Sequence, residues 1–477
     1  VHGAELTDFE FRGGSGGLVT ALWTSQEIAA ATGGTAHGDF AASGVAFDSR
    51  EVGPGHLFVA MKGEATDGHR FLDSAFAAGA AGAIVSEEIA RPHVLVADTA
   101  AALNALGRAA RTRTAARICG VTGSAGKTGT KEALYAALER AAPGEAHRSV
   151  KSYNNHTGVP LSLARMPRET RFGVFEMGMN HAGELAALTR LVRPHVAIVT
   201  AIAPAHREFF ASEEAIADAK GEIFEGLEPG GTALVPFDSP HCDRLAAAAR
   251  PHAAAILTFG LGEGADIRGR DVVPAPNGGS LVTALLPGAE LTFTVSQPGE
   301  HWVSNALAVL GAVEAMGGDL ALAGLALADL PGLKGRGERR RVALDGGEAV
   351  LIDESYNANP ASMAATLKTF GALSVAGRRI AVLGSMRELG ESSEAFHAAL
   401  AEPVEGAGID TAILVGEEME SLAKALGAKV KMAHVPDTAT AIELARAEAR
   451  PGDAILVKGS NSIGLAALVE ALAGGKS

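Results

Sequence analysis

Cysteine is nearly absent: Cys119 and Cys242 are the only two in 477 residues. That excludes a disulfide-built scaffold and fits a reducing, cytoplasmic compartment, where both thiols serve as packing residues. Net positive charge is also lacking, the formal balance being −14. Nucleic acid and anionic lipid therefore have no general electrostatic footprint to meet, although a local basic pocket can still bind a phosphate-bearing small molecule. No apolar run approaches membrane-spanning length, and Leu320 to Ala328 supplies about half of what is needed, so no membrane insertion is expected. A charged segment followed by an apolar one, the mark of a secretion signal, is missing at the start. What remains is an ordinary globular composition, 47% hydrophobic and 20% charged, long enough for two to four domains with proper cores.

The chain divides into an opening stretch and three α/β parts. VHGAELTDFEFRGGSGG, residues 1–17, ends in a Gly/Ser spacer and reads as a flexible leader or cloning remnant. Residues 18–98 carry short α/β units: TSQEIAAATGG reads as a helix opened by Ser25 and closed by Gly33, and GHLFVAMKG and AGAIVS read as strands. Over residues 99–332 the apolar runs ARICGVTG, RFGVFEMG, HVAIVTAI, GTALVPF and AAAILTFG alternate with helical segments, which predicts a largely parallel sheet covered on both faces. After LPGLKGRGERR the alternation restarts, with AVLID, RRIAVLG, TAILVGE, KVKMAHV and AILVKGS as strands of a second doubly wound domain over 333–477.

Between the strand RICGVTG and the helix TKEALYAALERA lies GSAGKT. Gly123, Ser124, Ala125 and Gly126, leading into Lys127, Thr128 and Gly129, form a loop whose backbone N–H groups can cradle phosphate oxygens at a helix N-terminus. Lys127 would bridge the β- and γ-phosphates of ATP and the Thr128 hydroxyl would ligate Mg2+. The alternative is a glycine-rich turn with a chance Lys-Thr pair. The glycine spacing departs from the common G-x-x-x-x-G-K-[ST] form, since Val121 stands where its first glycine belongs.

Two further stretches carry chemistry on their own. In SEEAIADAKGEIFEGL, Lys220 shares a helix face with Ile216, Ala217, Ile223 and Phe224, whereas Asp218 and Glu222 point elsewhere. Burial there would lower its pKa; a snorkelling lysine whose stem covers the core is the alternative. In GEHWVSNALAVLGAV, His301 and Asn305 stand at i and i+4 on one helix face, suited to holding adenine, though Asn305 could instead pack locally.

The spacing T-G-S-A-G-K-T resembles the Mur ligase and folylpolyglutamate synthase superfamily of ATP-dependent amide ligases. SYNNHTGVPLSL, FEMGMNHAGEL, APAHREFF, AKGEIF, DESYNANP and VLGSMRELGESSEAFH follow in order along most of the chain. This series is similar to Mur ligases that add D-alanyl-D-alanine to UDP-N-acetylmuramoyl-tripeptide through an acyl phosphate. The resemblance implies a three-domain architecture with a central phosphate-loop mononucleotide-binding domain and a C-terminal Rossmann-like domain. It also implies a monomer with those two small-molecule substrates and no nucleic-acid partner. Two alternatives stay open: the ligase for the preceding step, and a nucleotide-binding switch or ATPase that makes no amide.

The resemblance also distributes roles. Glu176, at the end of the apolar strand RFGVF, and His206, after HVAIVTAI, become Mg2+ ligands, where otherwise a solvated strand end and a loop histidine would serve. Lys220 becomes a carbamate, an anionic oxygen ligand for a second Mg2+. Asn154, Asn155 and Thr157 go to the sugar-peptide substrate and the reacting end. Arg336 and Asp353 reach the nucleotide phosphates and ribose from the third domain, with Arg339 to Arg341 leaving the basic register open. Ser49, Arg50, Lys62 and His69 form a uridine-diphosphate platform or merely decorate loops. Asn357, Asn359 and Lys458 face the dipeptide. On that side Ser385 stands where the family usually has Asp, and Asn461 where Arg is common.

Overall fold

The structure, a computed structural model, describes residues 21–63, 66–204, 208–275 and 279–474. The stretch 1–17 and His206 lie outside the described residues. Three main sheets follow one another along the chain. The first has five strands in the order Thr35–His37, His93–Leu95, Gly82–Val85, His56–Val59, Gly44–Ala46, parallel except at the Thr35–His37 edge. Its opening helix, Ser25–Thr32, ends at Gly33 as expected but is capped by Thr24, not Ser25. The Thr24 hydroxyl accepts from Glu27 N–H while the Glu27 carboxylate accepts from Thr24 N–H, a reciprocal cap that satisfies two otherwise orphaned donors. Ser25 is instead buried, its hydroxyl accepting from Phe40 N–H.

The central sheet has nine strands. From Ala146–Arg148 through Phe172–Glu176, Arg117–Thr122, Val196–Val199, Thr232–Pro236 and Ala255–Gly260 to Ile267–Pro274 every pairing is parallel. Along Arg117–Thr122 the side chains alternate: Cys119 and Val121 enter one apolar core, beneath helices Lys127–Ala141 and Glu300–Ala315. Ile118 enters the other, shared with helices Glu184–Val192 and Glu213–Gly221. A strand buried on both faces reads as a continuous apolar run, which is why this part was legible. Two strands at the edge, Ser280–Leu285 and Glu290–Val295, are antiparallel and had not been anticipated. They are half exposed and mix polar with apolar residues, so they lack that signal.

The third sheet runs Glu338–Leu344, Gly347–Glu354, Ala454–Lys458, Arg379–Gly384, Thr411–Val415, Lys431–Val435. Its parallel part matches the expected strands, and Glu338–Leu344 adds an antiparallel edge. Among the described residues no helix is long and apolar enough to cross a membrane.

Candidate active site

The phosphate loop leaves the C-terminal end of strand Arg117–Thr122, which lies between Val196–Val199 and Phe172–Glu176, and turns directly into helix Lys127–Ala141. Gly126 adopts φ +84°, and a Cβ there would lie 2.9 Å from Asn305 Oδ1. Gly123 meets Thr200 even more closely, at 1.9 Å for the same hypothetical atom. The Thr200 hydroxyl, at the end of the neighbouring strand, lies within hydrogen-bonding distance of the carbonyls of Thr122 (3.1 Å) and Ala125 (2.5 Å), holding the loop from outside. Both glycines are thus required by close approach as well as by backbone shape.

Inside the loop, the Ser124 hydroxyl is buried with no partner among the described residues. Lys127 donates to the loop's own Gly123 carbonyl at 2.7 Å. An orphaned donor and a cation folded onto its own backbone are what a phosphate would satisfy, so the loop fits the group it was read to bind. Burial lowers the Lys127 pKa; Glu176 and Glu388 act to raise it and Arg336 to lower it.

Glu176 is 1% exposed at the end of strand Phe172–Glu176. Its Oε2 accepts from the Thr128 hydroxyl at 2.8 Å and its Oε1 from Asn154 Nδ2 at 2.8 Å, while its own N–H donates to Ser149 Oγ. A hydroxyl and a carboxylate in contact beside a phosphate loop supply hard oxygen ligands of the kind Mg2+ takes. Lys220, also 1% exposed, has its pKa pushed well below the usual lysine range, first by burial and then by the like charge of Lys127. Its helix differs from the single one expected: it ends at Gly221 and tightens to a 3-10 turn over Glu222–Gly226. Glu222 faces away, accepting from Gly183 and Ala186 N–H, and Asp218 pairs with Arg244.

From the third sheet, Arg336 lies over the Tyr356 ring and within 3.5 Å of Ser152 Oγ. Of the arginines that follow it, Arg340 pairs with Glu338 and Glu470, and Arg341 with Glu348. Arg339 instead lines a cavity with Gln297, His301, Trp302, Glu354 and Phe370, between helix Glu300–Ala315 and the third sheet. His301 opens onto that cavity, whereas Asn305, one turn on, abuts Gly126.

Other candidates are engaged locally. The buried Asp353 carboxylate accepts from Gly335 N–H and from the N–H and hydroxyl of Ser355, bracing the turn that carries Arg336. Asn155 accepts from Thr157 and Gly158 N–H, closing a turn before helix Gly158–Ala164. Asn359 caps helix Pro360–Gly371, and Asn357 accepts from Ala358 N–H. Buried Lys458 ties Glu354 to the Asn357 carbonyl. In the first sheet region, Arg50 pairs with Asp48, Lys62 lies 4.0 Å from Asp67, and Ser49 opens a 3-10 turn. The His69 ring is held by Asp67 on one nitrogen and Ser86 N–H on the other. The structure thus gathers Gly123 to Gly129, Glu176, Asn154, Lys220, Asn305 and Arg336 at one place. Sequence reasoning missed Lys131, Ser149, Thr200 and Glu388 around it; for Lys131 the available signal was its position one turn after Lys127 and Thr128.

Fold and site together define a nucleotide-phosphate-binding α/β enzyme. The Mur ligase middle domain matches residues 121–313, the Mur ligase glutamate ligase domain residues 335–461, and the Mur ligase family catalytic domain residues 42–143. The chain is 34% identical over 436 residues to the UDP-N-acetylmuramoyl-tripeptide--D-alanyl-D-alanine ligase of Escherichia coli (strain K12), covering 91% of this chain and 94% of that one. Among solved structures it is similar to MurF from Acinetobacter baumannii, with a TM-score of 0.81, 30% identity, and 95% and 99% of the two chains covered. It is also similar to MurF ligase from Thermotoga maritima in complex with ADP, with a TM-score of 0.74, 27% identity, and 90% and 97% covered. The chain belongs to the Mur ligase family. It is an ATP-dependent peptide ligase.

Proposed function

We propose that the chain joins D-alanyl-D-alanine to UDP-N-acetylmuramoyl-tripeptide in peptidoglycan precursor synthesis. The observation that carries this is that identity to an enzyme of that name runs through 91% of the chain and does not stop at the ATP-binding part. We place the domains at 18–98, 99–332 and 333–477, with the sugar-nucleotide on the first, ATP on the second and the dipeptide on the third. A monomer working in the cytoplasm is part of the same proposal.

In this scheme the loop amides, Ser124 and Lys127 bind the phosphates, with His301 and Asn305 at the base. Thr128 and Glu176 hold Mg2+, which when bound neutralises charge on the phosphates. Lys220, whose amine burial biases toward the neutral form, adds carbon dioxide and releases a proton to give a carbamate that, with His206, would serve a second Mg2+. The tripeptide carboxylate attacks the γ-phosphorus, ADP leaves, and an acyl phosphate forms. The dipeptide amine then attacks the acyl carbon and phosphate leaves. Arg336 and Glu388, whose charges act on Lys127 from the third part of the chain, help close the site against the water that would hydrolyse the acyl phosphate.

The test is an amine-donor screen read by product mass. The expected product is the tripeptide nucleotide plus one D-alanyl-D-alanine, and hydroxylamine in place of the dipeptide should give a hydroxamate only with ATP and Mg2+. Turnover with a free diamino acid but not the dipeptide, or release of pyrophosphate, would overturn the proposal.

A further inference from the structure

Lys131 is wholly buried, yet neither the phosphate loop nor the ligand set above uses it. In helix Lys127–Ala141 it lies three residues after Thr128 and four after Lys127, so all three share one helix face. Its Nζ donates to the Ser149 carbonyl at 2.9 Å and the Lys151 carbonyl at 2.7 Å. It also pairs with Glu132 at 2.9 Å and stands 4.0 Å from Glu176 Oε2.

The segment so gripped wraps Glu176. Ser149 Oγ accepts from Glu176 N–H, and Asn154, three residues past Lys151, donates to Glu176 Oε1. Between them Lys151 sits at φ +51°, a left-handed conformation that a side-chain-bearing residue holds only when its surroundings impose it. This single ammonium grips both carbonyls flanking Val150 and presents positive charge to the carboxylate.

We infer that Lys131 is a positioning residue for phosphoryl transfer: by clamping the Ser149 and Lys151 carbonyls it fixes Glu176 and Asn154 toward Thr128. The inference rests on the proposed Mg2+ role of Thr128 and Glu176. Lys131 touches no phosphate in this scheme, so its loss separates metal binding from nucleotide binding.

Lys131→Met removes donor and charge at similar volume, and Glu132 keeps a partner in Arg148 at 2.7 Å. Mn2+ uptake by the ADP-bound protein, followed by electron paramagnetic resonance, should weaken roughly 10–100-fold, as when the groups supporting a metal ligand are removed. Metal-free ADP affinity should stay within about twofold, and kcat should fall with the metal affinity while KM for ATP at saturating metal barely moves. Lys131→Gln, which keeps donors but no charge, serves if the first variant does not fold and is read the same way. Wild-type uptake of Mn2+ with equal uptake by the variants overturns the inference alone, and failure of both variants to fold assigns Lys131 to the fold and overturns it too. No uptake by the wild type removes the metal proposal beneath it.

Discussion

Lys220→Met tests the most unusual feature of the site. Lys220 is 1% exposed, and burial together with the Lys127 charge pushes its pKa well down. The unfolded chain keeps this amine protonated up to about pH 10.4. Between the lowered pKa and that value the unfolded state therefore binds one proton more than the native state, and native stability rises with pH by up to about 1.4 kcal/mol per unit. Lys220→Met removes the titration. The variant should be the more stable near neutral pH, and its advantage should shrink by about 1.4 kcal/mol per pH unit toward alkaline pH. The measurement is urea unfolding of both proteins from pH 7 to 9.5 in buffer freed of carbon dioxide. With bicarbonate restored, the variant should make amide product about 10²–10³-fold more slowly, the usual loss when a preorganised electrostatic group is removed from a site. Lys220→Arg should fare no better, because guanidinium stays charged and forms no anionic ligand. A stability difference that is flat with pH would refute the neutral amine, and near-wild-type turnover by Lys220→Arg would refute the carbamate.

Gly126→Ala places a side chain at φ +84° and a carbon 2.9 Å from Asn305 Oδ1. The backbone alone costs roughly 1–2 kcal/mol, so calorimetric ADP affinity should fall about tenfold or more; a change within twofold would show that the loop tolerates it. His147, whose Nε2 lies 2.8 Å from the Ser162 carbonyl, has its pKa lowered by burial to about 4. The unfolded state takes up its proton first as pH falls below about 6.5, so between there and pH 4 the wild type should lose about 3 kcal/mol relative to His147→Gln, as unfolding curves at each pH will show; parallel curves would refute it.

The glycine loop, the carboxylate closing an apolar strand and the buried-face lysine were readable because each is a local pattern. A turn needs glycine where φ is positive, a strand buried on both faces is continuously apolar, and a helix face repeats every three to four residues. Residues whose role depends on a distant partner were not readable that way. Asp353, Asn359, Lys458 and His69 carry polar groups that local sequence leaves free, and the fold turns them to bracing neighbouring turns and helix ends. Lys131 looked like any helical lysine until Ser149 and Lys151 were brought over it from 18 and 20 residues away. Arg336 was one arginine among several until chain closure set it beside Ser152, 184 residues distant. The sequence by itself determined the nucleotide loop, the layered α/β plan and the family. Which buried charges meet was decided only by tertiary structure, because a polar side chain satisfies whatever donor or acceptor the fold presents to it, and that partner is set by long-range packing.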